Sequence, residues 1–193
     1  MQQNAEVLFD ILKQRHSTRN FSNQIIDRED IKKITEAARL APFGDATGFT
    51  REECRKIFVI APDAKNRAII ITELRKVMKK NARVLGFLSL FSSKFKSFHK
   101  RVKNFADNGI PALTKNTYWI LIAEKKGFPP VAKQSMAHAL QNMWLAATAM
   151  GYGFQMLSAS TMLTKSPTVM HIFNIYAGEY EIDGCVVGIK VRT

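Results

Sequence analysis

The sequence predicts an α+β domain in which several helices surround a sheet of about four to five strands. Three observations carry this. Met136, Leu140, Met143, Trp144 and Ala147 form the strongest helical stripe in the chain. The run Ile57–Ile60 and the run Tyr118–Ala123 are apolar without a break, as expected of strands covered on both faces. Strand-like and helical stretches then follow one another over 193 residues with no repeat, low-complexity tract or linker, a length suited to a single domain spanning 1–193.

Taken in order, Ala5–Gln14 reads as a short amphipathic helix with Val7, Leu8, Ile11 and Leu12 on one side. Asp27 is placed as an N-cap, with Asp30 three residues on in the position of a capping-box acid. The helix that follows turns Ile31, Ile34, Ala37, Ala38 and Leu40 towards a core and stops near Pro42. Phe43–Glu53, with Gly44 and Gly48, reads as a loop, and Arg55–Ala61 as a strand. Pro62 and Asp63 begin a helix reaching Arg83. The segment from Val84 to Phe105 mixes phenylalanines with serines and lysines; Phe91, Phe95 and Phe98 keep helical spacing, so 84–106 is read as an amphipathic surface helix or as a lid or interface insertion. After the strand from Tyr118 come Pro129 and Pro130, then the long helix to about Met150, closed by Gly151. Phe154–Leu157 is a strand, Pro167–Phe173 a brief helix and Cys185–Val191 a last strand.

Lys and Arg number 29 against 16 acids, a formal charge of +13. Twelve of the cations fall between Lys65 and Lys103, where Glu73 is the lone acid. Such a field attracts phosphorylated cofactors, and nucleic acid or anionic lipid non-specifically. No zinc-finger, RNA-recognition or basic-zipper pattern accompanies it, so no specific nucleic acid is expected. Cys54 and Cys185 match no metal spacing and sit in apolar surroundings, which reads as buried thiols in a reducing compartment. The longest apolar stretch, Val84–Phe91, falls well short of the ~20 residues that cross a membrane. Met1–Asp10 has neither basic start nor apolar run, so no signal peptide is read and a cytoplasmic location is expected.

A glycine-rich dinucleotide fingerprint, a phosphate loop and a His-Glu-x-x-His motif are all missing. Ser97 and Lys100 match Ser-x-x-Lys without its companion motifs. Of the histidines, His99 is expected in solvent and His138 in a core or an interface; only His16 has a promising setting. It belongs to the run Arg15-His16-Ser17-Thr18-Arg19, and the chain closes with Lys190-Val191-Arg192. Two cationic clusters with a hydroxyl between them suit one dianionic phosphate, provided that the fold joins the two ends.

That first run after an amphipathic helix, the Ala-Ala-Arg-Leu-Ala-Pro run at 37–42, the helix at 137–151 and the closing Lys-x-Arg together resemble the FMN-dependent nitroreductase family, in consistent order along nearly the whole chain. The resemblance implies a central, mostly antiparallel sheet flanked by helices, in an interwoven homodimer with flavin at the interface. It implies that Arg15, His16 and Ser17 hold the phosphate and ribityl chain of FMN, that Arg19 lies near the pyrimidine edge, and that Lys190 and Arg192 return to the phosphate. A backbone N–H near Leu157, Ser158 and Ala159 would face flavin N5, and Pro42, Phe43 and Gly44 would complete the cofactor contacts. The sequence departs from the family after Ala-Pro: Phe43-Gly44-Asp45-Ala46-Thr47-Gly48 lacks the Asn and Gln that reach the partner's flavin. It departs again at Gly188-Ile189-Lys190, where some members have a Gly-Tyr-Pro-like end.

The activity implied is hydride transfer from NADH or NADPH, by way of flavin N5, to a nitro compound, quinone or similar small acceptor. The flavin does the chemistry, so no catalytic side chain and no metal is assigned. Arg19 beside the pyrimidine edge would stabilise the anionic reduced flavin. Two other readings stand beside this: a flavin-binding module without reductase activity, from the missing amides, and a nucleic-acid-binding protein built on 65–103.

Overall fold

The computed structural model describes residues 2–44, 48, 50–89 and 92–191. Its centre is a four-stranded sheet of β1 (Arg55–Ile60), β2 (Tyr118–Lys125), β3 (Gly153–Met156) and β4 (Tyr180–Gly188), in the order β1-β2-β4-β3 with every pair antiparallel. Side chains alternate across a strand, and β2 shows why its sequence reads as one apolar run. Trp119, Leu121 and Ala123 enter one core, while Tyr118, Ile120 and Ile122 enter the other.

Helices cover both faces. The first core lies under α4 (Arg67–Leu88), α5 (Ser93–Asn108) and α7 (Pro167–Ile172), which supply Ile70, Leu74, Met78, Val102 and Val169. The second lies under α2 (Arg28–Arg39) and α6 (Ala132–Ala149), with Ile31, Ile34, Leu140 and Met143 at its centre. A fully buried side chain of this size contributes about 1.5–3 kcal/mol, so β2 anchors both layers. α1 (Gln2–Gln14) packs on α6 and keeps most of its surface in solvent.

Several expectations need correction. Leu40 is 70% exposed, because α2 has ended at Arg39 and the stripe of Ile31, Ile34 and Ala38 does not reach it. Asp27 does cap α2, accepting the Glu29 N–H at 2.8 Å, but Asp30 closes no capping box. It pairs instead with Lys33 and with the Tyr152 hydroxyl. Within 43–53 the chain forms a short helix, α3 (Arg51–Cys54), where Thr50 and Glu53 make the reciprocal capping box. α4 begins at Arg67, after turns over 62–66, and runs on to Leu88. The puzzling segment after Val84 is the end of α4 followed by α5, an antiparallel partner for it. β4 starts at Tyr180, earlier than expected, with Tyr180 and Ile182 buried and Glu181 and Asp183 half-buried in strict alternation, and it ends at Gly188. A 3-10 helix, Ser158–Lys165, follows β3. Both cysteines are buried and no disulfide joins them, His99 is half-buried, and His138 is exposed rather than in the core.

Candidate functional site

The two ends of the chain meet at one end of the sheet. After α1 the backbone is extended: Ser17 forms a parallel bridge with Phe154, and the Thr18 N–H donates to the Phe154 carbonyl at 2.9 Å. Phe21 then pairs with Lys190 in an antiparallel bridge, flanked by Ser22 N–H to Ile189 O at 2.8 Å and Val191 N–H to Asn20 O at 3.2 Å. Thr18 and Phe21 are buried, whereas Ser17, Arg19 and Asn20 beside and between them are exposed.

Two glycines make the approach possible. A Cβ on Gly188 would stand 2.7 Å from Thr117 Cγ2 and 2.8 Å from Phe21 Cδ1, and one on Gly153 would stand 2.8 Å from Thr18 Cγ2. Hydrogen in place of a side chain lets the amino-terminal segment lie directly on β3 and β4.

The result is a cavity of about 450 Å³ lined by His16, Ser17, Arg19 and Lys190, with Thr18, Asn20 and Val191 completing it. None of the described residues that line it carries a carboxylate. The His16 Nδ1–H donates to the Gln14 carbonyl at 2.8 Å, which turns Nε2 away from that bond. Cavities of about 470 and 550 Å³ lie around Arg28 and Tyr118, but Asp63 is in the lining of both and bonds Arg28 at 3.2 Å. Size favours those two, while charge favours the smaller one for a dianion. Charge decides, because Asp63 repels a phosphate and already engages the Arg28 guanidinium.

The other sequence-predicted residues are spread more widely. Arg15 is not in the cavity lining; its guanidinium lies 4.4 Å over the Trp144 ring, which stacks in turn on Phe154 at 5.2 Å. Arg192 lies outside the described residues. Leu157 is buried and donates its N–H to Gly184 O at 2.8 Å. Ser158 and Ala159 open the 3-10 helix, where the first N–H groups have no partner inside the helix.

Pro42, Phe43 and Gly44 stand beside Arg55 at the opposite end of the sheet from Gly188, so one chain does not bring them to the cavity. Pro42 O accepts from the Arg55 guanidinium at 2.8 Å, Phe43 lies under Arg51, and the Gly44 N–H donates to Ser135 Oγ at 2.9 Å. The same guanidinium pairs with Glu124 at 2.8 Å, both groups being almost wholly buried. Sequence reasoning missed this ion pair, since a strand-end Arg and Glu carry no motif. It also placed Trp144 only in a core stripe, although the indole joins Arg15 to Phe154.

The sequence matches the Nitroreductase family over residues 12–189. No curated protein matches the chain. Among solved structures, it is similar to a BluB-like flavoprotein from Clostridium difficile 630, at 23% identity and TM-score 0.71, covering 96% of this chain and 91% of that one. It is also similar to a nitroreductase with bound FMN from Bacteroides fragilis NCTC 9343, at 19% identity and TM-score 0.65, covering 95% and 88%. A third likeness, at 20% identity and TM-score 0.58 over 95% and 89%, is to a protein from Clostridium acetobutylicum that carries the name NADH oxidase. At these identities the solved structures speak for the fold.

Proposed function

Because the chain belongs to the nitroreductase family, we propose that it is an FMN-dependent oxidoreductase taking hydride from NADH or NADPH and passing two electrons to a nitro compound, quinone or similar small acceptor. The observation that carries this reading is the clasp of Phe21 on Lys190, which gathers His16, Ser17, Arg19 and Lys190 around one cavity.

That donor set fits the phosphate end of FMN: two fixed cations, an imidazole and a hydroxyl, with no carboxylate among the lining residues. In this reading Ser17 donates its hydroxyl to the ribityl or phosphate oxygens, and Lys190 neutralises one phosphate charge. His16 donates from Nε2 only when the ring is doubly protonated, since Nδ1 already carries the proton given to Gln14 O. Arg15 and Arg192 are assigned further positive charge for the phosphate, and Arg19 favours a negative charge on the ring system. Bound FMN supplies the two-electron chemistry itself, and the chain supplies binding, orientation and electrostatics.

The reading includes a homodimer. Pro42, Phe43 and Gly44 are at the far end of the sheet, which suits contact with the partner's flavin. α1 supports the pairing as well, since Val7, Leu8, Phe9 and Leu12 are exposed on a helix whose apolar side calls for a cover. A single domain over 1–193 and a cytoplasmic location complete the reading, the latter in keeping with two buried cysteines that no disulfide joins. Among the described residues no helix is long and apolar enough to cross a membrane.

Titrating the purified protein with FMN and recording the visible spectrum tests the reading; a protein that develops no bound-flavin bands contradicts it. Anaerobic mixing with NADH and NADPH then separates an oxidoreductase, whose flavin bleaches rapidly, from a binding module, whose flavin does not. The module reading is favoured only by the missing Asn and Gln after Pro42.

A further inference from the structure

We propose that the tip of the α4–α5 hairpin docks on anionic lipid bilayers, holding the protein against a membrane surface without crossing it. The proposal does not depend on what the cavity at Lys190 binds.

The hairpin projects beyond the core. Ala82 is the last buried residue of α4 and Val102 the first of α5; none of the described residues between them is buried. Its apolar side chains are nonetheless large. On α4, Val84, Phe87 and Leu88 form an exposed stripe, with Phe87 63% exposed. On α5, Phe95 and Phe98 continue the face that Val102 and Ala106 bury further down, yet Phe98 is 46% exposed. The stripe outruns the surface that covers it.

Cations accompany these side chains on both helices. Lys80 and Arg83 lie on α4, and Lys96, Lys100 and Arg101 on α5, all exposed. No acid occurs in the sequence between Glu73 and Asp107. Aromatic and aliphatic groups framed by Lys and Arg are the composition of helices that lie in a membrane interface, where the rings enter the headgroup boundary and the cations meet anionic lipid.

The same charges argue against other occupants. A second copy would bring an equally cationic tip against this one. A protein interface of ordinary mixed charge would leave these cations without internal counter-charges. A nucleic-acid backbone would be served by the cations but would leave the aliphatic Val84 and Leu88 uncovered.

The test is co-sedimentation of the purified protein with vesicles of phosphatidylcholine alone and of phosphatidylcholine with phosphatidylglycerol, at low salt and at ~150 mM. The expected result is binding to the phosphatidylglycerol vesicles only. Lys100→Glu with Arg101→Glu is expected to weaken it by about tenfold or more. Phe87→Ser with Phe98→Ser should weaken it too while leaving the charge unchanged. All four positions are exposed, and circular dichroism of each variant checks the fold. Absence of binding by the unaltered protein overturns the proposal. So does binding that ignores the phenylalanine pair and is matched by a short single-stranded oligonucleotide, since the hairpin is then a general polyanion attractor.

Discussion

Phe21 and Lys190 form an antiparallel bridge that ties the segment after α1 to the end of β4. The bridge uses only backbone, so it fixes where the neighbouring side chains point without consuming their donors. Lys190 therefore reaches the cavity with its ammonium unspent: no hydrogen bond or ion pair to it is found among the described residues. The first consequence concerns the glycine beside this bridge. Gly188→Ala would press a methyl group into Phe21 and Thr117. Overpacking of this kind costs about 1–3 kcal/mol, and lifting Phe21 shifts Ser17 and Arg19 with it. Urea unfolding should show the loss of stability, and FMN titration a weaker affinity in the same variant.

Arg15 shares no bond with a carboxylate in the described residues, and its guanidinium carbon lies 4.4 Å over the Trp144 ring. Stacking restricts the side chain while leaving its edge free to donate. Arg15→Ala is expected to weaken FMN binding by about 1.5–3 kcal/mol, roughly ten- to hundredfold in Kd, with little effect on riboflavin. Titration of both ligands by fluorescence quenching measures this.

Arg55 binds Glu124 and the carbonyls of Ala38, Ala41 and Pro42 from a site closed to water. Removing one partner strands the other, at a cost of about 3–5 kcal/mol. Arg55→Met should therefore lower thermal stability sharply. Arg55→Met combined with Glu124→Leu should lower it less, because no buried charge is left alone.

The Tyr152 hydroxyl donates to Asp30 at 2.6 Å. That bond, with burial adding to it, pushes the phenol up from 10.0 to about 12. A raised folded value means the stabilisation is complete below pH 10 and disappears as pH rises through about 12. The stability gap between the unaltered protein and Tyr152→Phe should hold steady at neutral pH and close over that alkaline window. Chemical denaturation of both proteins at a series of pH values shows it.

How much of this was legible in sequence follows from the range of each interaction. β2 was readable because both of its faces are buried and its apolar run is unbroken; β1 has the same kind of run, but it lies at the sheet edge with Val59 44% exposed, so it is not covered on both faces as expected. The start of β4 was legible too and was missed: Tyr180, Glu181, Ile182 and Asp183 alternate apolar and polar, and the first and third are the buried ones. α5 was obscure for another reason: only the inner half of its apolar face is buried, while Phe95 and Phe98 on the outer half are 40% and 46% exposed. In the candidate site, the cationic runs were visible as residues, and their meeting was a topological consequence of Gly153 and Gly188 that spacing alone does not encode. Arg55–Glu124 and Arg15–Trp144 span 69 and 129 positions, and such pairs leave no trace in either partner's neighbourhood.

The central claim is that the two ends of the chain jointly hold a phosphate. Parallel titrations with FMN and with riboflavin, which lacks the phosphate, address it directly. The account predicts FMN tighter by roughly tenfold or more, with the gap narrowing as salt rises. Equal affinity for the two, at low salt and with the protein folded, would contradict it.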